Sequence, residues 1–319
     1  MKAFAIVAVV LSHSYPLHGY ALPVVIFIIL IGYSTTQSYL RNGYNSWFAC
    51  YHWPLLKRRL DRIMWAYLFT VALEMLTSYL LTSFLQIGNF QASYWVKEFF
   101  NGGSGPGSYF VPLVLQIIFF LPVLYILAQK NANLMLIGAF ALNILFELGC
   151  YYWAMPQSTY RFIFLRYLFA IALGIWLAKA KHINWYLVTA GALLSLLYIT
   201  GVSFYDLRPP VQPDWSPQNA PAFFWPFMVV LLGLKLLPEQ ANGPVKLIAA
   251  LGKASYHIFL SQMVYFYYMD YLFAKLPLGL YILINLTICL SAGYLFYLLE
   301  QKLRAVLNTK KEAGYAVSQ

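Results

Sequence analysis

Charged residues are scarce in this chain, and acidic ones are the scarcest. Lys, Arg, Asp and Glu together make up 10% of its 319 residues, whereas about 25% is usual for a soluble domain. Hydrophobic residues make up 61%, and the mean hydropathy is +0.65. This composition excludes a water-soluble globule. The net charge of +11 comes from basic residues dispersed among short loops, so it does not indicate nucleic-acid binding.

Cysteine is rare as well. Cys50, Cys150 and Cys289 lie far apart and form no CxxC or Cys/His spacing. The pattern therefore excludes a disulfide framework and a zinc site with the usual ligand spacing. We expect no metal site in this protein.

What the chain has in abundance is long apolar segments. Most of them reach about 20 residues, the length that an α-helix needs to cross about 30 Å of hydrocarbon. They predict an all-α integral membrane protein of about ten transmembrane helices, with a single membrane domain over residues 1–319 and no separate soluble domain. The ten segments are 2–15, 21–40, 64–84, 109–128, 133–150, 161–178, 183–203, 222–237, 248–269 and 277–299.

The basic residues lie mostly on alternate connections between these segments. With the N-terminus placed in the cytoplasm, sixteen of the 21 basic residues fall on the cytoplasmic side. An excess of this kind with an even number of spans predicts that both termini are cytoplasmic. The expected location is the inner or plasma membrane, surrounded by lipid. The five basic residues on the other side are Lys97, Arg161, Arg166, Arg208 and Lys275.

His13 is an ionisable residue inside the first apolar segment. It follows Lys2 by eleven residues, which is about 16 Å along a helix and places it near the middle of the bilayer or in its outer half. Pro16 is expected to kink or end the helix just beyond it. A neutral imidazole with a pKa near 6.5 can act as a general base towards a hydroxyl. A structural histidine, hydrogen-bonded to a neighbouring helix, is the alternative.

Arg59 and Arg62 share one face of a helix on the cytoplasmic side, because they are three residues apart. Two guanidinium groups in this position can bind phosphates in bidentate fashion. Simple anchoring by the positive-inside effect explains the same residues without a ligand.

Glu147, Arg161 and Arg166 are expected near the outer ends of two consecutive segments. Opposite charges at matching depth can pair and so lower the cost of burying them. The alternative is that they line a polar cavity. The external segment 204–221 adds Tyr205 and Trp215, which suit either an interfacial aromatic belt or stacking on sugar rings.

Four motifs follow one another along nearly the whole chain, and in this order they resemble the bacterial membrane acyltransferases of acyltransferase family 3. They are a basic residue followed after ten residues by histidine, a glycine-containing apolar run, RxxR and a late LGxxSY pattern. In this sequence they read KAFAIVAVVLSH with Lys2 and His13, VIFIILIGYS with Gly32, Arg59 with Arg62, and LGKASYHIFL with Gly252, Ser255 and Tyr256.

The resemblance implies a membrane O-acyltransferase with no bound cofactor. Its co-substrate would be a cytoplasmic acyl-CoA, usually acetyl-CoA, and its acceptor a hydroxyl of an extracytoplasmic glycan or lipid-linked sugar. His13 would be the catalytic general base or acyl carrier, with Lys2, Arg59 and Arg62 on the donor side. We assign the acceptor-side cavity to Glu147, Arg161 and Arg166.

The sequence departs from the family pattern in three places. Lys2 stands where the family usually has arginine, and lysine keeps the charge without the bidentate fork. Gln262 stands where many relatives have histidine. The first helix is also expected to lack its usual leader. A transporter or flippase for a glycan or lipid-linked precursor is the rival hypothesis, because an intramembrane histidine and outer charges would serve it too.

Overall fold

The helical membrane architecture is confirmed. The computed structural model describes residues 1–15, 22–86, 91–238, 242–269, 272–273 and 275–317. The chain is 82% helical, and no strand is found in the described part. Short 3₁₀ helices cover Phe164–Tyr167, Pro213–Gln218 and Ala220–Ala222.

Fourteen α-helices lie within the described ranges. In chain order they are α1 (Lys2–Ser14), α2 (Pro23–Arg41), α3 (Trp47–Cys50), α4 (Trp53–Leu85), α5 (Ala92–Asn101), α6 (Phe110–Lys130), α7 (Ala132–Tyr152), α8 (Gln157–Tyr160), α9 (Leu168–Lys179), α10 (Trp185–Phe204), α11 (Phe224–Leu236), α12 (Pro244–Lys253), α13 (Ser255–Tyr268) and α14 (Leu278–Val317).

Among the described residues, fewer than ten helices are long and apolar enough to cross a membrane alone. Six stretches in the described part are long and apolar enough, and a seventh is added if Pro213–Ala222 and Phe224–Leu236, bent by 52°, form one span. Helix α1 is apolar but has only 13 residues. The chain is thus a multi-pass membrane protein, while the count of ten and the cytoplasmic termini stay predictions.

Two of the predicted segments are divided in the structure. Residues 161–178 contain a 3₁₀ turn at Phe164–Tyr167 before α9, and residues 248–269 break at Ala254 between α12 and α13. Helix α9 is buried along almost its whole length. Its irregular entry is therefore enclosed by protein, which is the condition under which non-helical backbone is tolerated at membrane depth.

Helices α2 and α9 form the closest packing in the bundle. A Cβ atom added to Gly174 would lie 2.1 Å from the carbonyl oxygen of Ile29, and one added to Gly32 would lie 2.6 Å from that of Ile171. Small residues let two membrane helices approach until their backbones touch. The apolar run of the second motif therefore places its glycine in a helix–helix contact.

Helix α1 is central in the bundle. It packs against α2, α12, α13 and α14, and its residues Ala5, Ile6, Val9 and Val10 are buried. Its two ends consequently open into different parts of the protein, with Lys2 at one end and His13 at the other.

Candidate functional site

Two cavities flank α1 and meet at an apolar wall. The first, of about 370 Å³, contains His13, and we call it the His13 cavity. The second, of about 950 Å³, contains Lys2, Arg59 and Arg62, and we call it the basic cavity. Three residues, Val9, Val24 and Phe259, line both. A few apolar side chains therefore separate the histidine from the cationic groups.

His13 lies at the C-terminal end of α1, and Pro16 lies outside the described residues. Its side chain is exposed, and its ring centroid is 5.6 Å from that of Phe266 on α13. No described residue forms a hydrogen bond with the imidazole. This arrangement favours a histidine that faces a cavity over one fixed by a neighbouring helix.

A chain of buried hydrogen bonds holds the end of α1 beside His13. The Tyr265 hydroxyl donates to Asn285 Oδ1 at 2.6 Å, and Asn285 Nδ2 donates to Ser14 Oγ at 3.0 Å. Asn285 is completely buried on α14. Asn285 was not among the residues selected from the sequence, although a polar side chain within the apolar segment 277–299 is costly to bury at membrane depth and often marks a functional site.

With His13 as the reacting group, as the family resemblance implies, we expect Asn285→Leu to lower kcat at least about tenfold with little change in KM, because small shifts of a reacting group are costly. The substitution removes the bond to Ser14 at nearly constant volume. Steady-state kinetics of the purified protein measure the effect. Thr287→Val is the matched control, since the Thr287 hydroxyl donates to the Leu283 carbonyl of its own helix and Thr287 is exposed. Unchanged kcat in Asn285→Leu would contradict the positioning role.

Polar side chains surround His13 on the far side of its cavity. Arg161 lines the cavity together with Gln157, Trp215 and Gln218. The Trp215 ring meets the Tyr109 ring edge-on with centroids 5.4 Å apart. Trp215 therefore belongs to the cavity wall, whereas Tyr205, 79% exposed, suits an interfacial position.

Arg166 and Glu147 lie behind this wall and do not line the cavity. Arg166 is completely buried, with its guanidinium carbon 3.9 Å from the Trp215 ring centroid and 4.5 Å from that of Tyr160. Glu147 accepts a hydrogen bond of 2.7 Å from the Tyr160 hydroxyl. Within the described ranges no ion pair within 4 Å joins Glu147 to an arginine. Both residues thus support the wall through its aromatic rings.

Trp215 lies in segment 204–221, which is hydrogen-bonded to α10. The Tyr198 hydroxyl donates to the Ser216 carbonyl at 2.8 Å, and the Ser195 hydroxyl donates to the Pro221 carbonyl at 2.5 Å. The cavity wall opposite α1 is therefore held in place by bonds to a long helix, as a preorganised binding surface requires.

The glycine-rich segment 102–107 packs directly on α13. A Cβ atom added to Gly105 would lie 2.2 Å from the Met263 carbonyl oxygen, and Gly107 lines the His13 cavity. Gln262 donates to the Pro106 carbonyl at 3.3 Å, and the buried Glu74 accepts from the Ser104 backbone N–H at 3.3 Å. Gln262 therefore fixes a wall of the His13 cavity through its hydrogen bond to Pro106.

The basic cavity gathers cations from four helices. Among the described residues that line it are six basic side chains and a single carboxylate, that of Glu300. Such an excess of positive charge in a cleft attracts anions. The six basic residues are Lys2, Arg58, Arg59, Arg62, Lys253 and Arg304.

The RxxR motif lies at the start of α4, and its two arginines point to different neighbours. Arg59 Nη1 donates to the Tyr39 hydroxyl at 2.7 Å, and its guanidinium carbon lies 4.6 Å from the Tyr39 ring centroid. Arg62 and Lys2 both line the basic cavity, so their positive charges face the same cleft. An anion bound there would interact favourably with both.

The late signature brings α12 and α13 against the same cavity. Gly252 lies beside the N-terminus of α1, since a Cβ atom added to Gly252 would lie 3.5 Å from the Ala3 nitrogen. The Tyr256 hydroxyl donates to the Ile63 carbonyl at 3.2 Å, one residue beyond the RxxR motif. Motifs that are separated by nearly 200 residues in the sequence therefore meet around one cleft. No group of three or more His, Cys, Asp or Glu side chains that could hold a metal is found in the described part.

The bundle of apolar helices, with the His13 cavity and the basic cavity on either side of Val9, Val24 and Phe259, defines a multi-pass membrane protein. The family model described as an acyltransferase domain, acyltransferase family 3, matches residues 1–298 of the 319. The chain belongs to this acyltransferase family. Comparison with curated proteins and with solved structures gives no significant match.

Proposed function

We propose that this acyltransferase transfers an acyl group, in the first instance acetyl, from a cytoplasmic acyl-CoA to a hydroxyl of an extracytoplasmic glycan or lipid-linked sugar. The observation that carries the proposal is the pair of cavities that meet at Val9, Val24 and Phe259. One cavity suits a phosphorylated donor and the other a hydroxylated acceptor. The family match gives no support to the transporter alternative.

The donor would bind with its phosphates among Lys2, Arg59 and Arg62. Guanidinium groups recognise phosphate oxygens in bidentate fashion. Along α1, Lys2 and His13 are about 16 Å apart, a distance that the long and narrow pantetheine arm of CoA can span. The thioester would then reach His13 past Val9 and Phe259, whose side chains must move apart.

His13 would act as the general base on the acceptor hydroxyl. The imidazole takes the hydroxyl proton while the oxygen attacks the thioester carbonyl carbon, and the carbon–sulfur bond then breaks. The proton passes to the departing CoA thiolate. In the second form of this mechanism, His13 itself attacks the thioester carbonyl, and the carbon–sulfur bond breaks as the CoA thiolate leaves and takes up the imidazole proton. The acceptor oxygen then attacks the acyl-histidine, the carbon–nitrogen bond breaks, and the hydroxyl proton passes to the imidazole. Both forms require an accessible imidazole, and His13 is exposed and forms no hydrogen bond with any residue that the structure describes.

The acceptor would bind against Arg161, Gln157, Gln218 and Trp215. Planar amide and guanidinium groups hydrogen-bond sugar hydroxyls, and an indole ring offers an apolar face to a sugar ring. Glu147 and Arg166 would contribute by holding Tyr160 and Trp215 in place.

The proposal is tested with purified protein in lipid and radiolabelled acetyl-CoA, with and without a crude cell-envelope glycan fraction. We expect label to move to the glycan in the presence of the protein. A transporter has no use for acetyl-CoA, so the complete absence of both CoA release and label transfer would count against the proposal and in favour of a different donor or class.

The donor-side assignment predicts that Arg62→Ala raises the KM for acetyl-CoA at least about tenfold, because a hydrogen bond to a charged group contributes about 1.5–3 kcal/mol. Lys57→Ala is the matched control: Lys57 lies on the same helix, is exposed and does not line the basic cavity. KM measured at saturating acceptor separates the two variants. Equal KM values in both would contradict a phosphate-binding role for Arg62.

A further inference from the structure

A cluster of charged side chains in the wall of the basic cavity has no part in the mechanism above. Glu300 on α14 is hydrogen-bonded through Oε2 to Nε2 of His257 on α13. Its other oxygen, Oε1, accepts from Arg304 Nε at 2.6 Å. His257, Glu300 and Arg304 all line the cavity. A single carboxylate thus ties the late signature motif to the last helix.

Arg304 also reaches the RxxR motif. Its Nη2 donates to the backbone carbonyl of Asp61 at 3.0 Å, and Asp61 lies between Arg59 and Arg62 in the sequence. Arg304 thus contacts the middle of that motif, although it follows Asp61 by 243 residues in the sequence. Helix α14 therefore adds a further guanidinium to those that α4 supplies to the cavity.

The bonding of Arg304 leaves part of its donor set unused. A guanidinium has five N–H groups, and those on Nε and Nη2 serve Glu300 and Asp61. Nη1 has no partner in the part of the chain that the structure describes. An arginine that is fixed on one edge by a carboxylate loses little conformational freedom when its remaining donors bind an anion.

We propose that Arg304 is a further arginine of the donor site and binds a donor phosphate together with Arg59 and Arg62. Glu300 and His257 are positioning residues that hold its side chain against the Asp61 carbonyl. The inference rests on the proposed function in one respect, namely that the donor is a CoA thioester with several phosphate groups.

The test measures the dissociation constant of unacylated CoA for purified protein in lipid nanodiscs. We expect Arg304→Ala to weaken CoA binding at least about tenfold. Arg304→Lys keeps the positive charge but loses the bidentate guanidinium group, so its affinity for CoA should lie between those of the wild type and Arg304→Ala. Lys302→Ala removes the same charge from an exposed position on α14 outside the cavity, and should bind as the wild type does.

The outcomes separate this inference from the proposed function. If wild type and Arg304→Ala bind CoA equally well, Arg304 has no role in the donor site, and the donor assignment still stands. If the wild type binds no CoA, the proposed donor is wrong and the inference falls with it. If Arg304→Ala does not fold, Arg304→Lys decides, and wild-type affinity in that variant would overturn the inference.

Discussion

His13→Ala is expected to lower acyl transfer at least about a hundredfold while the protein still inserts and folds. Loss of a general base typically costs 10²–10⁴-fold in rate, and loss of an acyl carrier would cost more. The folded state should tolerate the change, because the imidazole is exposed at the end of α1 and no described residue bonds to it. Transfer of label from acetyl-CoA to a glycan fraction measures the effect.

The control for this variant is His182→Ala, which removes another histidine from an exposed position between α9 and α10. Thermal melting of both variants in detergent distinguishes lost chemistry from lost structure. Full transfer activity in His13→Ala, with melting unchanged, would rule out every form of the mechanism proposed here.

Gly174→Val is expected to prevent folding of the helix bundle. A Cβ atom at Gly174 would lie 2.1 Å from the Ile29 carbonyl oxygen and 2.8 Å from the Tyr33 nitrogen. These are backbone atoms of α2, so no side chain can turn aside and the two helices must separate. Overpacking usually costs about 1–3 kcal/mol, and displacement of a whole helix exceeds that range. We expect no monodisperse peak on size-exclusion chromatography in detergent.

The matched substitution is Gly138→Val on α7. Gly138 is also a helical glycine, but a Cβ atom there meets nothing within 4 Å. This variant should elute and melt as the wild type does. If Gly174→Val behaved in the same way, the close approach of α2 and α9 would not exist in the protein.

The apolar segments and the order of the motifs were enough to predict much of this protein. Hydropathy predicted an all-α membrane protein, because crossing hydrocarbon forces the backbone to form its own hydrogen bonds. The four motifs predicted the acyltransferase family, and the family match confirms it. His13, Arg59 and Arg62 were selected because a charge at membrane depth, or a pair of charges on one helical face, is visible in a single stretch of sequence.

Other features depend on contacts between distant segments, so no local pattern predicts them. Arg166 and Arg161 look alike in the sequence, yet only Arg161 reaches the His13 cavity, since Trp215 from a loop 49 residues later covers Arg166. Asn285 gains its role only when α14 packs beside Ser14.

The sequence by itself therefore determined that this is a membrane protein, that it is helical, and which family it belongs to. Each of these follows from composition or from short ordered motifs. Only the tertiary structure shows that a 3₁₀ helix at Phe164–Tyr167 interrupts an apolar segment. Hydropathy does not predict this break, because lipid and a neighbouring helix are equally favourable surroundings for an apolar residue. It also decided that Arg304, 242 residues after Arg62, lies in the same cavity. Helix packing decides which polar side chains line a common cavity, because it brings together residues that are far apart in the sequence.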